Sequence, residues 1–136
     1  TGRLGGSIAG HHLDFVPRLA EGRWLAETFR PSAMMDISDG LGADLPRLAR
    51  ASGCGFTVNL PDIPCRRGSS IDQALSDGED YELLFSLSPK KAIGISERWA
   101  DVFPKTPLTC IGSLNRSQDP PSGWPGGWDH FKEFDT

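Results

Sequence analysis

Four short apolar runs, each bounded by turn-forming residues, constrain the fold of this chain more than any other feature. They are AMMDIS, GFTVNL, YELLFSL and LTCIGSL, at residues 33–38, 55–60, 81–87 and 108–114. Each has the length of a β-strand; the first is apolar on both sides and predicts a buried strand, whereas the second alternates and predicts a half-buried one. Segments with helical spacing separate the runs. The pattern predicts a layered α/β (α+β) sandwich, with helices packed on a mixed sheet whose strand order is open.

Four helices are predicted between and around these strands. The first follows Pro17 and ends at Pro31, the third covers 70–76, and the fourth begins at Ser88-Pro89 and runs to about residue 103. The second covers 41–53 and contains Pro46, which would cost about 3 kcal/mol in a helix interior. Either this helix kinks at the proline, or it begins at Asp44 with the proline in its first turn.

Composition limits the class of protein. The 136 residues suit one domain, and the formal net charge of −4 argues against a nucleic-acid or acidic-membrane binder. The chain lacks a run of about 18 apolar residues that could span a membrane. Three cysteines at irregular spacing form neither a disulfide framework nor a zinc pattern, which favours a reducing, cytoplasmic setting. The opening TGRLGGSIAG has no initiator Met, so we expect a fragment of a longer protein.

The segment MMDISDG, residues 34–40, concentrates oxygen ligands at the end of the first strand. Ser38 or Asp39 could cap the helix that follows, which is the simplest structural interpretation. That interpretation leaves Asp36 unexplained, because an unpaired charge within an apolar run is expensive. Carboxylate and hydroxyl oxygens beside a helix N-terminus would suit Mg²⁺ and phosphate.

A second acidic segment, SDGEDYELLF, precedes the third strand. It places Asp77, Glu79, Asp80 and Glu82 within six positions. The simplest interpretation is an acidic, well-solvated turn. Like charges this close raise one another's energy unless cations or hydrogen-bond donors share them, so a binding role is the alternative.

The segment GGWDHF, residues 126–131, is the third candidate. Its aromatic residues could pack the tail of the chain onto the core. Trp128, between two glycines and an aspartate, could instead form a stacking platform for a ligand.

In order, TGRLGGSIAG, MMDISDGLGADL, SDGEDYELLF and GWDHF resemble the C-terminal domain of bacterial thiamine-monophosphate kinases, a branch of the aminoimidazole ribonucleotide (AIR) synthetase superfamily. The resemblance spans nearly the whole chain. It implies one AIR synthase-related C-terminal domain over 1–136, with 1–12 leading in from a missing N-terminal ATP-binding domain. Residues 115–136 would then form an irregular tail that carries a substrate-stacking tryptophan.

The resemblance also implies roles for single residues. Asp36 and Asp39 match positions that hold Mg²⁺, Ser38 matches a position that contacts ATP, and Glu79 and Trp128 match positions that contact thiamine phosphate. The family transfers the γ-phosphoryl group of ATP to thiamine phosphate, giving thiamine diphosphate, and acts as a cytoplasmic homodimer. The resemblance implies no catalytic side chain, since metal ions and positioning can supply such a transfer.

Two alternatives stay open. The chain could belong to another AIR synthase-related ATP-dependent enzyme with a different acceptor, or it could be a non-catalytic domain that retains the fold. We expect the isolated chain to be inactive, since the N-terminal domain of the family supplies most nucleotide contacts.

Overall fold

The computed structural model describes residues 1–117 and 120–125, and in this part helices and strands alternate as the sequence predicts. The α/β class is therefore confirmed. None of the described helices is long and apolar enough to cross a membrane. The helices are α1 (Leu19–Thr28), α2 (Leu41–Ala51), α3 (Ile71–Ser76), α4 (Pro89–Ala92) and α5 (Ile95–Val102). The strands are β1 (Ala33–Asp36), β2 (Gly55–Val58), β3 (Leu83–Ser86) and β4 (Gly112–Asn115).

The strands form two antiparallel pairs. Strand β1 pairs with β3, so that Met35 lies opposite Leu84, and β2 pairs with β4, so that Phe56 lies opposite Leu114. A parallel contact appears in the described residues as a bridge between Leu4 and Cys65. The predicted mixed sheet is thus realised as two antiparallel pairs and this bridge.

Two hydrophobic clusters hold these elements together. The larger one packs α2 and α3 against the strands, and its buried members include Leu41, Leu45, Leu48, Phe56, Leu75 and Leu84. The smaller one joins α1 to α5 through Leu25, Phe29, Ile95 and Trp99. Burying each of these large side chains contributes about 1.5–3 kcal/mol, so the larger cluster anchors the loops at both ends of α2.

The prediction of a buried first strand was wrong. Side chains in β1 alternate between half-buried Ala33 and Met35 and exposed Met34 and Asp36. The reason is that β1 belongs to a two-stranded sheet with one face on the core and the other open to solvent. Asp36 therefore does not carry the burial cost that its apolar neighbours suggested.

Helix α2 begins at Leu41, with Pro46 inside it, so the prediction of a start at Asp44 was wrong. A residue at position 46 would normally donate its N–H to the carbonyl of Gly42, and proline has no N–H. The indole Nε1–H of Trp124 donates to that carbonyl instead, at 2.9 Å. A distant side chain thus satisfies the acceptor that the proline leaves open.

The single helix predicted over 88–103 is two helices. Gly94, with φ of 74°, separates α4 from α5, and the Ser88 side chain makes no capping hydrogen bond. The strand predicted over 108–114 is also shorter, since β4 begins at Gly112. Ile111 extends the pairing by one bond, its carbonyl accepting from the Asn59 N–H at 3.1 Å.

Candidate functional site

The MMDISDG and SDGEDYELLF segments lie side by side. Pairing of β1 with β3 continues past the strand ends, because the Ile37 N–H donates to the Glu82 carbonyl and the Tyr81 N–H donates to the Ile37 carbonyl, both at 2.8 Å. One further bond runs from the Glu79 N–H to the Ser38 carbonyl at 2.7 Å. The two motifs singled out in the sequence therefore form one surface.

Asp44 fixes the backbone of the loop between β1 and α2. Its side chain is fully buried, and its Oδ2 accepts hydrogen bonds from the N–H groups of Ser38 and Asp39, both at 2.9 Å. Hydrogen bonds to a carboxylate are stronger than neutral ones, so this one side chain holds both residues in place. The loop precedes the N-terminus of α2, where the helix dipole favours anions.

Gly40 lets the same loop pass close to the end of α3. Its backbone has φ of 90° and ψ of 151°, a conformation open essentially to glycine. A Cβ at this position would lie 2.6 Å from the Leu75 carbonyl oxygen and 2.9 Å from that of Asp77. A side chain at position 40 would therefore push the two motifs apart.

Arg47 reaches back to the loop from the second turn of α2. Its guanidinium contacts the carboxylates of Asp39 and Asp44, the second at 2.8 Å. The hydrogen bond to Asp39, with that to Asp44, raises the pKa of Arg47 above its ordinary value despite the opposing effect of partial burial. Asp39 thus faces a protein cation, while Asp36 is exposed to solvent.

The acidic segment before β3 is not the well-solvated turn that its sequence suggested. Asp77, Asp80 and Glu82 are buried, and of its four acids Glu79 alone is exposed. The reason is that the turn folds against the Gly-rich start of the chain. The acids at 77, 80 and 82 are therefore structural groups.

Backbone amides of the Gly-rich segment satisfy two of the buried acids. The Gly5 N–H donates to both carboxylate oxygens of Asp80 at 3.1 Å, and the Gly6 N–H donates to Asp77 Oδ2 at 2.7 Å. Arg66 adds a cation at 3.2 Å from Asp80. The hydrogen-bond donors that Asp77 and Asp80 require are thus supplied from within the chain.

Arg18 supplies the hydrogen-bond donors for the buried carboxylate of Glu82. Its Nε and Nη2 each lie 2.8 Å from one Glu82 oxygen, a bidentate geometry. Burial acts to raise the pKa of Glu82, but the hydrogen bonds from Arg18 and Thr1 lower it on balance below its ordinary value. For Asp80, burial dominates over the Gly5 and Arg66 contacts and raises the pKa from 3.8 to about 6.

Glu79 differs from its neighbours in backbone as well as in exposure. Its φ is 63°, a left-handed conformation that side-chain-bearing residues seldom adopt. Tyr81 is also left-handed, with φ of 51°, and its ring lies 4.4 Å from that of Phe15. Strain of this kind at an exposed carboxylate is typical of ligand-binding positions.

The structure brings together four of the five residues that the sequence singled out. Asp36 is the last residue of β1, Ser38 and Asp39 lie on the loop that follows it, and residue 79 lies on the turn bonded to that loop. Trp128 lies outside the described residues. Asp36 and Asp39 are oxygen ligands of the kind Mg²⁺ prefers, and magnesium commonly takes one or two carboxylates together with water and substrate phosphates. Residues 1–117 and 120–125 hold no cluster of three or more His, Cys, Asp or Glu side chains suited to a metal.

Several residues that shape the site were not identified from the sequence. Asp44 had a local signal, since an acid in the first turn of a helix often bonds to free amides. No local signal identifies Arg18, Arg66 or Trp124, because the residues with which they form hydrogen bonds lie 64, 14 and 82 positions away in the sequence.

Comparison with known proteins gives this arrangement a family. The profile described as "AIR synthase related protein, C-terminal domain" matches residues 6–103. Thiamine-monophosphate kinase of Rhodopirellula baltica is 34% identical over 125 residues, covering 84% of this chain and 38% of that protein. The Salmonella typhimurium protein of the same name is 35% identical over 114 residues, covering 76% of this chain and 33% of its own length.

Comparison with solved structures points to the same family. Thiamine-monophosphate kinase from Stenotrophomonas maltophilia superposes with a TM-score of 0.68 at 30% identity, covering 77% of this chain and 34% of that one. A structure described as AaThiL complexed with AMPPCP and TMP gives 0.64 at 27% identity, covering 96% of this chain and 50% of that one. The chain thus spans between a third and a half of the length of these relatives. It belongs to the family of AIR synthase-related C-terminal domains, and the relatives it resembles here are thiamine-monophosphate kinases.

Proposed function

We propose that this chain is the C-terminal domain of a thiamine-monophosphate kinase, which transfers the γ-phosphoryl group of ATP to thiamine phosphate. The observation that carries the proposal is the bond between Ser38 and Glu79. It joins the loop suited to phosphate with an exposed carboxylate suited to an acceptor, in a chain whose relatives bear this name.

In this proposal, Asp36 and Asp39 hold Mg²⁺ and Ser38 contacts ATP. A magnesium ion supplies charge neutralisation for the phosphates when it is bound. Asp44 keeps the amides of Ser38 and Asp39 fixed, so the loop requires little rearrangement to receive its ligands. No side chain needs to form a covalent intermediate, because phosphoryl transfer depends mainly on positioning and electrostatics.

Glu79 and Trp128 contact thiamine phosphate in this proposal. An exposed carboxylate next to the phosphate loop suits the cationic thiazolium and amino-pyrimidine of that acceptor. The relative described as complexed with AMPPCP and TMP supports both ligand classes. Glu79 combines a left-handed backbone with an exposed side chain, whereas the other three acids of the turn are buried.

The remaining parts of the proposal concern assembly. Residues 1–136 form one domain, residues 1–12 lead in from an N-terminal ATP-binding domain, and the complete protein is a cytoplasmic homodimer. The length of the relatives supports a further domain. The free thiols of Cys54, Cys65 and Cys110 support a reducing compartment.

A chimera tests the function. The matched segment of the Rhodopirellula baltica kinase is replaced by residues 1–136, and thiamine diphosphate formation is measured with ATP, Mg²⁺ and thiamine phosphate. We expect turnover, and we expect Asp36→Asn or Asp39→Asn to lower it on the order of 10²-fold. Glu27→Gln serves as the control, because Glu27 forms an exposed ion pair with Arg23 on α1.

The other outcomes contradict the proposal. A chimera that binds Mg²⁺ and ATP but leaves thiamine phosphate unchanged indicates a different acceptor. A folded chimera that binds neither indicates a non-catalytic domain.

A further inference from the structure

Trp124 connects the C-terminal part of the chain to the start of α2. Its indole Nε1–H donates to the Gly42 carbonyl at 2.9 Å, and its ring packs edge-on against Phe56 with centroids 4.9 Å apart. Gly42 lies in the first turn of α2, two residues after Gly40. The contact therefore places residue 124 one helical turn from the loop that carries Ser38 and Asp39.

The Gly42 carbonyl can accept this hydrogen bond because of Pro46. In an uninterrupted helix the Gly42 carbonyl would receive the N–H of residue 46, and proline removes that donor. An unpaired buried carbonyl costs about 1–3 kcal/mol, so the proline creates a demand for an external donor. Trp124 meets that demand from 82 residues away.

We propose that Trp124 is a positioning residue. The Gly42 carbonyl, which Pro46 leaves without a helical donor, is the acceptor that ties the C-terminal segment to the candidate phosphate site. Because Gly42 lies in the first turn of α2, this tether holds the start of the helix beside the loop that carries Ser38 and Asp39. Its role in positioning that loop for phosphate rests on the proposed function, whereas the tether itself does not.

The tether is tested in the 136-residue chain by hydrogen exchange of tryptophan indole N–H groups, followed by NMR, with Trp124→Phe identifying the Trp124 signal. Pro46→Ala supplies a helical N–H that competes for the Gly42 carbonyl. We expect it to speed exchange of the Trp124 indole about tenfold, the loss that one hydrogen bond represents, while the unfolding midpoint stays level or rises. Unchanged exchange in Pro46→Ala overturns the proposal.

The positioning role is tested in the chimera described above. Trp124→Phe keeps the ring on Phe56 and removes the donor, so we expect KM for ATP to rise about tenfold with kcat nearly unchanged. Trp99→Phe is the matched control, because it removes an indole bond to the Thr106 carbonyl in the other hydrophobic cluster.

An equal rise of KM in both variants shows a general loss of stability and overturns the positioning role. If the unmodified chimera makes no thiamine diphosphate, the proposed function fails and, with it, the positioning role. The exchange measurement then still decides whether the tether exists.

Discussion

At the scale of single residues, Glu79 and Asp80 are neighbours in one turn with opposite surroundings. Asp80 is 1% exposed and bonded to Gly5 and Arg66, whereas Glu79 is exposed and strained. Local sequence pattern does not distinguish the two adjacent acids, because the distinction depends on which of them faces the Gly-rich segment; the family resemblance alone singled out Glu79. Substitutions at the two positions should therefore affect different properties.

Glu79→Gly and Glu79→Ala form a matched pair that separates strain from ligand contact. Both remove the carboxylate, and we expect both to weaken thiamine phosphate binding by the chimera equally. Because φ at this position is 63°, the glycine variant should be about 1 kcal/mol more stable to urea than the alanine variant. Equal stability of the two variants would show that the backbone at position 79 relaxes in solution.

Asp80 should make stability depend on pH. Its pKa is raised from 3.8 to about 6, so the folded state prefers the protonated carboxyl. The stability that this preference contributes is fully present below about pH 4 and is lost as pH rises through about 6. Urea unfolding from pH 4 to 7 should show the wild type losing stability relative to Asp80→Asn over that window. If the stability of the wild type relative to Asp80→Asn stays constant or rises over this window, the assignment is contradicted.

At the scale of elements, the loop between β1 and α2 depends on a glycine that no other residue can replace without displacing the neighbouring backbone. Gly40 combines a positive φ with a carbonyl oxygen only 2.6 Å from where a Cβ would lie. Local patterns predicted the existence of β1 and α2. They did not predict how closely the loop passes α3, because that approach is a tertiary contact.

Gly40→Ala should destabilise the chain by about 3 kcal/mol, measured by urea unfolding, since it adds steric overlap to backbone strain. Gly53→Ala is the control, because Gly53 has φ of 65° but a Cβ added there would meet no described atom within 4 Å. That variant should cost about 1 kcal/mol from the backbone alone. A similar loss of unfolding free energy in the two variants would mean that the loop does not pass closely by Leu75 and Asp77.

The helix around Pro46 shows why element boundaries were harder to predict than elements. Local rules expected the proline to kink the helix or to lie in its first turn, since they consider only donors within the helix. Trp124 supplies a donor from outside, so α2 extends from Leu41 past the proline. Conversely, Gly94 divides the helix predicted over 88–103, where helical spacing outweighed a single glycine in the sequence interpretation.

At the scale of the whole molecule, the motifs that meet in the candidate site could be found in the sequence, but their supports could not. Asp36, Ser38 and Asp39 were singled out because they lie in a short motif beside a strand, and Glu79 was singled out among four neighbouring acids by the family resemblance. Arg18, Arg47 and Arg66 were not, although each pairs with an acid of the two motifs. Their partners are fixed by packing rather than by spacing along the chain.

The isolated chain should not be an enzyme by itself. It spans 38% of the Rhodopirellula baltica kinase, and in the proposed function it contributes Asp36 and Asp39 to the metal. With ATP, Mg²⁺ and thiamine phosphate, we expect no thiamine diphosphate above the uncatalysed background. Turnover at about 1 s⁻¹ or faster, within the ordinary range of enzymes, would show that no further domain is needed.

The arginine pairs also set the electric field in front of the site. Six carboxylates crowd the two motifs, and Arg18, Arg47 and Arg66 neutralise three of them. Arg47 also pairs with the buried Asp44, so the arginines lower the negative potential of the site without cancelling it. An incoming metal–nucleotide complex therefore meets a smaller negative potential than a count of acidic residues would suggest, and the rate of its capture should depend less on ionic strength.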